Sequence, residues 1–275
     1  MAWVARVLKA LTLGACSVGG LSGAAYGLLN GQSKRARSII GKSRGLPLNA
    51  DGVYLPDGSG PVADAPADAL TFAVLGDSLA AGLGAETVAR LPGVILAKGL
   101  AEESGRPVRL ATHAVVGSRT FDLDGQVDVA LIQPPDLALV IVGGNDVTAR
   151  MGIAASAETL GRQVRRLRLA GTTVVVGTCP DLDIIQPIPQ PLRTIASRWG
   201  LALARAQRRQ LEQLGVRSVS TAALLSPEFR QRPDELFSDD RFHPNGAGYE
   251  LAASVMLAPL CDAAGLTEVR ELTGA

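Results

Sequence analysis

Residues 71–82, Thr-Phe-Ala-Val-Leu-Gly-Asp-Ser-Leu-Ala-Ala-Gly, constrain this chain more than any other stretch. The apolar run Thr71 to Leu75 is short, partly β-branched or aromatic, and stopped by glycine, which reads as a buried β-strand. The chain then turns through Gly76-Asp77 and presents Ser78 where a helix is expected to begin. At a strand-to-helix turn the hydroxyl is lifted out of the sheet, and the residue's N–H belongs to the set that a helix start leaves unpaired. That placement suits a nucleophile whose own N–H can hold a developing oxyanion. It equally suits a serine that merely caps a helix. The rest of the chain decides between the two.

Strand-like runs recur at 71–75, 108–116, 137–142, 173–178 and 216–220, with helical patterns between them. In one of these, Ala157, Leu160, Val164 and Leu167 form an apolar stripe opposite Arg162, Arg165 and Arg166. Leu192, Ala196, Trp199, Leu203 and Ala206 form a second stripe, and Ala247, Leu251 and Val255 a third. Strands alternating with helices predict a parallel sheet covered by helices on both faces. With 275 residues, 47% hydrophobic and 19% charged, the chain suits one sizeable α/β domain plus an extension.

The extension is N-terminal. Ala10 to Gly31 carries no charge and is long enough to cross a bilayer as a helix of about 20 residues. It reads as a membrane anchor or, if cleaved, as a signal segment. Residues 1–44 hold seven of the 27 basic residues and no acid, which leaves the remainder at 20 bases against 26 acids, a net of −6. The basic flank can lie on anionic headgroups. The mildly acidic body offers no nucleic-acid footprint. Counted by basic flanks, the downstream side stays cytoplasmic, whereas a signal-like start argues for export; the side of the membrane is left open. Residues 1–44 are thus expected as anchor or signal, 45–69 as a Pro- and Gly-rich linker with a short extended piece at 52–55, and 70–275 as the globular domain. Cys16, Cys179 and Cys261 show no metal-ligand spacing, and two histidines make a histidine-rich metal site unexpected.

Ligands of such sheets sit outside the carboxyl ends of the strands. Besides Ser78, two further strand ends carry unusual residues. Val116-Gly117-Ser118 offers a residue whose backbone N–H can approach a ligand closely. Gly143-Gly144-Asn145-Asp146 places an amide donor where the backbone leaves the sheet, although Gly-Asn-Asp is also ordinary turn chemistry. Near the C-terminus, Asp240-Arg241-Phe242-His243-Pro244 puts an imidazole on a loop just ahead of a helix, with a carboxylate three residues earlier. The other histidine, His113, falls inside a predicted strand.

Gly76-Asp77-Ser78-Leu79, Gly117, Gly143-Gly144-Asn145-Asp146 and Asp240-Arg241-Phe242-His243-Pro244 occur in the order and at the strand ends that make this sequence resemble the SGNH (GDSL) hydrolase family, over residues 71 to about 264. One departure is Thr112-His113, where an asparagine often precedes the second block's glycine. The resemblance implies a three-layer α/β/α, flavodoxin-like sandwich with a five-stranded parallel sheet. It implies Ser78 as nucleophile, His243 as base and Asp240 as its orienting partner, with Ser78 N–H, Gly117 N–H and the Asn145 side chain as oxyanion hole. The implied activity is hydrolysis of acyl esters, of small molecules or lipids, with no cofactor. Acyl transfer to a sugar or lipid hydroxyl, or a non-catalytic envelope protein, are the alternatives. None of the strand-like runs ends in a Gly-x-Ser-x-Gly elbow. The apolar, Pro-rich segment 183–192 is either a wall of an acyl channel or a rigid crossover.

Overall fold

The structure, a computed structural model, describes residues 26–36, 38, 47–62, 66 and 68–266. Six strands form one sheet: β1 (Gly52–Tyr54), β2 (Leu70–Gly76), β3 (Val108–Thr112), β4 (Leu137–Ile141), β5 (Thr173–Gly177) and β6 (Arg217–Val219). Their order is β1-β3-β2-β4-β5-β6, with every pairing parallel except β1 against β3. The five parallel strands are those expected from sequence, in the flavodoxin-like order whose direction reverses at β2. The sheet has six strands rather than five. The additional strand comes from the stretch that composition reads as linker, and Val53 and Tyr54 are fully buried at the sheet edge. Three residues among glycines and prolines are too few to show a period.

Side chains alternate across β2 and so divide the interior into two layers. Phe72 and Val74 point to one face and pack with Leu139 of β4, with Val94 and Leu100 of helix α2 (Pro92–Ser104), and with Met256 and Leu260 of α9 (Gly246–Ala263). Ala73 and Leu75 point to the other face. There they meet Val127 of α3 (Leu123–Ala130), Leu160, Val164 and Leu167 of α5 (Ile153–Leu169), and Leu211 of α6 (Leu192–Gln213). The remaining described α-helices are α1 (26–36), α4 (Gly144–Thr148), α7 (Thr221–Gln231) and α8 (Pro233–Leu236).

The α5 stripe is buried as its spacing predicts. The other two are displaced. In α9 the face that packs inward is Tyr249, Ala253, Met256 and Leu260, while Ala247 is exposed. In α6 it is Ser197, Gly200, Leu203, Ala204, Gln207 and Leu211, so Leu192, Ala196 and Trp199 stay only half-buried. Small residues let α6 approach its neighbours on a side that hydrophobicity does not mark. The predicted strand 108–116 stops at Thr112, which puts His113 just past the end of β3.

Of the uncharged stretch expected as an anchor, residues 10–25 lie outside the described residues, as does Cys16. Residues 26–31 belong to α1, which rests on the domain: the Gln32 amide donates to Gln190 O at 2.5 Å and accepts from Leu192 N at 3.2 Å. Among the described residues no helix is long and apolar enough to cross a membrane. The membrane-spanning expectation therefore gains no support from the structure.

Where β2 meets β4, a residue other than glycine cannot stand at position 76. Gly76 has φ +137°, and a Cβ there would lie 1.8 Å from the Ile141 carbonyl oxygen. Gly76→Ala is expected to cost more than about 3 kcal/mol or to prevent folding. Gly125→Ala, on the exposed face of α3 with nothing near the new methyl, should be neutral or stabilising by up to about 1 kcal/mol. Thermal denaturation of both checks this. A Gly76→Ala protein melting like the wild type would contradict the close approach.

Candidate active site

The carboxyl ends of β2 and β4, adjacent in the sheet, supply two of the expected residues, and the loop before α9 supplies two more. After β2 the chain does not enter a helix at Ser78, as the sequence suggests. Instead Ala81 N donates to Asp77 O at 3.0 Å and Leu83 N to Ser78 O at 3.0 Å, a compact run of turns. Gly82 and Gly84, with φ of +77° and +102°, stop helix propagation there. Gly84 also packs directly on the histidine loop: a Cβ would come within 2.4 Å of Pro244 O and 3.2 Å of the His243 Cβ.

In that loop, the Asp240 carboxylate is the organising group. Its Oδ1 accepts from the Phe242 and His243 N–H groups, each at 2.8 Å, and from the Ser238 hydroxyl at 3.0 Å. Its Oδ2 faces His243 Nδ1 at 2.6 Å. Burial pushes the Asp240 carboxyl up, but the His243 side chain and the His243 and Phe242 N–H groups outweigh it and hold the group down at about 2. His243 is 7% exposed, and its Nε2 lies 3.0 Å from Ser78 Oγ. Ser78, His243 and Asp240 thus form one continuous hydrogen-bonded chain. The ring of Phe242 meets that of His243 edge-on, with centroids 4.8 Å apart.

Asn145, in the first turn of α4, lines the same pocket as Ser78, and its Nδ2 donates to Ser118 O at 3.0 Å. Gly117 precedes that residue in a turn closed by Ser118 N to Val115 O at 3.1 Å, where φ is +84°. A positive φ at the third position is what such a turn demands of glycine. Gly117 does not line the pocket itself; Ser118 ties its turn to Asn145. Among the described residues neither Ser78 N–H nor Gly117 N–H has a protein acceptor. His113 is linked to neither Ser78 nor Asp240; its N–H pairs with Val74 O.

Two buried polar residues to which the sequence reading gave no role brace this arrangement. Gln126 of α3 accepts from Gly76 N at 2.7 Å and donates to Gly76 O at 2.9 Å and Ser118 Oγ at 3.1 Å. It thereby couples the serine-bearing strand end to the Gly117 turn. Asp146 accepts from Thr120 N at 3.0 Å and Ser156 Oγ at 2.6 Å, fixing α4 between that turn and α5. The signal for Gln126 is a glutamine on the otherwise apolar face of Leu123, Val127 and Ala130. Asp77 is fully enclosed, and burial pushes its carboxyl up to about 7 against the opposing pull of the Leu79 N–H, which Oδ1 accepts at 3.0 Å. Among the described residues no cluster of histidine, cysteine or carboxylate side chains could hold a metal.

The pocket at Ser78 is almost wholly apolar. Leu79, Leu96, Ile184, Phe237, Ala253 and Met256 are among its walls. Ile184 comes from the 3-10 helix Leu182–Ile184 at the start of the Pro-rich segment, so that segment does wall the site. The site can expose a carbonyl carbon to Ser78 Oγ in an environment that excludes water from the attached chain.

Comparison with known proteins places the chain. The GDSL-like lipase/acylhydrolase family matches residues 74–251. A GDSL-like esterase of Mycobacterium tuberculosis is 46% identical over 250 residues, which cover 89% of this chain and 78% of that protein. The lipase/acylhydrolase of Enterococcus faecalis has the same fold, with TM-score 0.57 at 18% identity over 69% of this chain and 94% of that one. An acetyl xylan esterase from Geobacillus stearothermophilus gives TM-score 0.55 at 19% identity, over 70% and 94% of the two chains. Both structural likenesses speak to fold alone. With the family matched across most of its length, the chain belongs to the GDSL-like lipase/acylhydrolases and is a hydrolase of ester bonds.

Proposed function

We propose that the chain cleaves carboxylic acyl esters by a serine mechanism run by Ser78, His243 and Asp240. The observation that carries this reading is the unbroken path from Asp240 Oδ2 through His243 to Ser78 Oγ, opening into an apolar pocket. A serine hydroxyl is a weak nucleophile at its free pKa and needs a base within hydrogen-bond reach. His243 Nε2 takes the proton as Ser78 Oγ bonds to the carbonyl carbon. Asp240, accepting from Nδ1, fixes the tautomer that leaves Nε2 free and stabilises the imidazolium. The carbonyl π electrons move to oxygen, and the Ser78 N–H, Gly117 N–H and Asn145 amide are the donors assigned to that oxyanion. When the tetrahedral intermediate collapses, the C–O bond to the alcohol breaks and His243 returns the proton to the departing alkoxide. Water repeats the sequence on the acyl-serine, releasing the acid and regenerating Ser78.

Asn145 is braced by Ser118 O through one amide hydrogen, which leaves the other for an oxyanion. Its removal should therefore cost transition-state rather than ground-state binding. Asn145→Ala is expected to lower kcat by roughly 10²–10³ with KM nearly unchanged. Steady-state kinetics on p-nitrophenyl butyrate test it; a raised KM with kcat preserved would make Asn145 a binding residue. Ser78→Ala should lower turnover by at least about 10³-fold in a protein with wild-type circular dichroism. Wild-type-like turnover in that variant would remove Ser78 as the nucleophile.

A further inference from the structure

Next to the catalytic pocket lies a second apolar cavity, of about 320 Å³. Tyr26 and Leu29 of α1 form one side and Ile195 and Trp199 of α6 the other. Leu182 and Phe242 wall both this cavity and the catalytic pocket. The cavity also explains the α6 stripe. Leu192, Ala196 and Trp199 are spaced for burial yet are only half-buried, and Ile195 is 41% exposed. Helix α1 is held across them by Gln32 and by the packing of Ala36, but does not close down on them. An apolar stripe left open beside a reacting centre is uncovered surface that a ligand can bury.

Chemistry decides which part of a substrate would lie there. His243 Nε2 must deliver a proton to the departing oxygen, so the alcohol portion of an ester sits beside His243. Phe242, edge-on to the His243 ring, is the residue next in line, and with Leu182 it forms the wall common to both cavities. The acyl chain has the pocket past Leu79 and Met256. We propose that the α1–α6 cavity is the subsite for the alkyl chain of the leaving alcohol, so that the substrate class is an ester with apolar chains on both sides of the scissile bond. This rests on the serine-hydrolase reading above.

The test holds the acyl group fixed as butyrate and lengthens the alcohol from ethyl to octyl, below the micellar range, in the full-length protein. Burying methylenes should raise kcat/KM by at least about tenfold over that series. Leu29→Asp and Ile195→Asp, on opposite walls, should each bring the octyl-to-ethyl ratio down by about fivefold or more, since a carboxylate in the cavity disfavours an alkyl chain. The ratio is read within each variant, so a general loss of activity cancels. A wild-type ratio near one, or a ratio unchanged in both variants, would overturn the subsite while leaving p-nitrophenyl butyrate hydrolysis intact. A wild-type protein inert toward p-nitrophenyl butyrate would overturn the hydrolase reading and the subsite together.

Discussion

The Asp240 carboxylate holds the active-site loop in shape with one oxygen and the imidazole with the other. Three donors converge on Oδ1, two of them the N–H groups of Phe242 and His243, so the carboxylate folds its own loop. The positive φ of Arg241, +52°, is the backbone cost of that tight return. With Oδ1 committed, only Oδ2 is left for His243 Nδ1, and the ring has one orientation in which Nε2 reaches Ser78. Because the folded carboxyl is held at about 2, below its ordinary value, the stabilisation it gives is present above the ordinary carboxylate range. It is lost only as pH falls from about 4 toward 2.

Everything opposite that loop depends on backbones coming closer than side chains allow. Gly76 touches the Ile141 carbonyl, and Gly84 touches the Pro244 carbonyl. The first contact aligns the serine-bearing turn with the end of β4 that carries Asn145. The second seats the same turn against the histidine loop. Gln126 then satisfies the Gly76 N–H and carbonyl that the first approach buries, which is the condition for a buried polar group to rigidify a site rather than weaken it. The pocket at Ser78 presents almost no polar surface, so discrimination between esters falls to its shape.

The five parallel strands were legible because each is a short apolar run closed by a glycine or a turn; Ser78 and Asn145 were legible because they stand at the ends of such runs, and Asp240 and His243 because a proline and a three-residue spacing mark their loop. The edge strand β1 was legible only as a short extended piece at 52–55 within a linker; its place in the sheet was not, since three residues carry no period of their own. The expected helix after Ser78 fails for a reason that is local after all: Gly82 and Gly84 both take positive φ. The inward face of α6 was misread because glycine, serine and glutamine pack there, where closeness to the sheet outranks hydrophobicity, and that of α9 because the helix is apolar on more than one side. Gln126 and Asp146 hold groups far apart in sequence, and no spacing announces such a brace.

The central claim is that Asp240 acts on Ser78 through His243, and Asp240→Asn tests it most directly. Three donors on Oδ1 require the asparagine carbonyl to stay on the loop side, which turns its NH₂ toward Nδ1 and favours the tautomer with the proton on Nε2. The measurement is kcat for p-nitrophenyl butyrate across pH 5 to 9 in the wild type, Asp240→Asn and His243→Ala. The account expects Asp240→Asn to lose between about 10² and 10⁴-fold. A loss should be present at every pH of the range, because the wild-type carboxylate, held at about 2, stays ionised throughout. An Asp240→Asn enzyme with wild-type kcat at every pH, beside an inactive His243→Ala, would contradict it and leave Asp240 as a loop-capping carboxylate beside a Ser78–His243 pair.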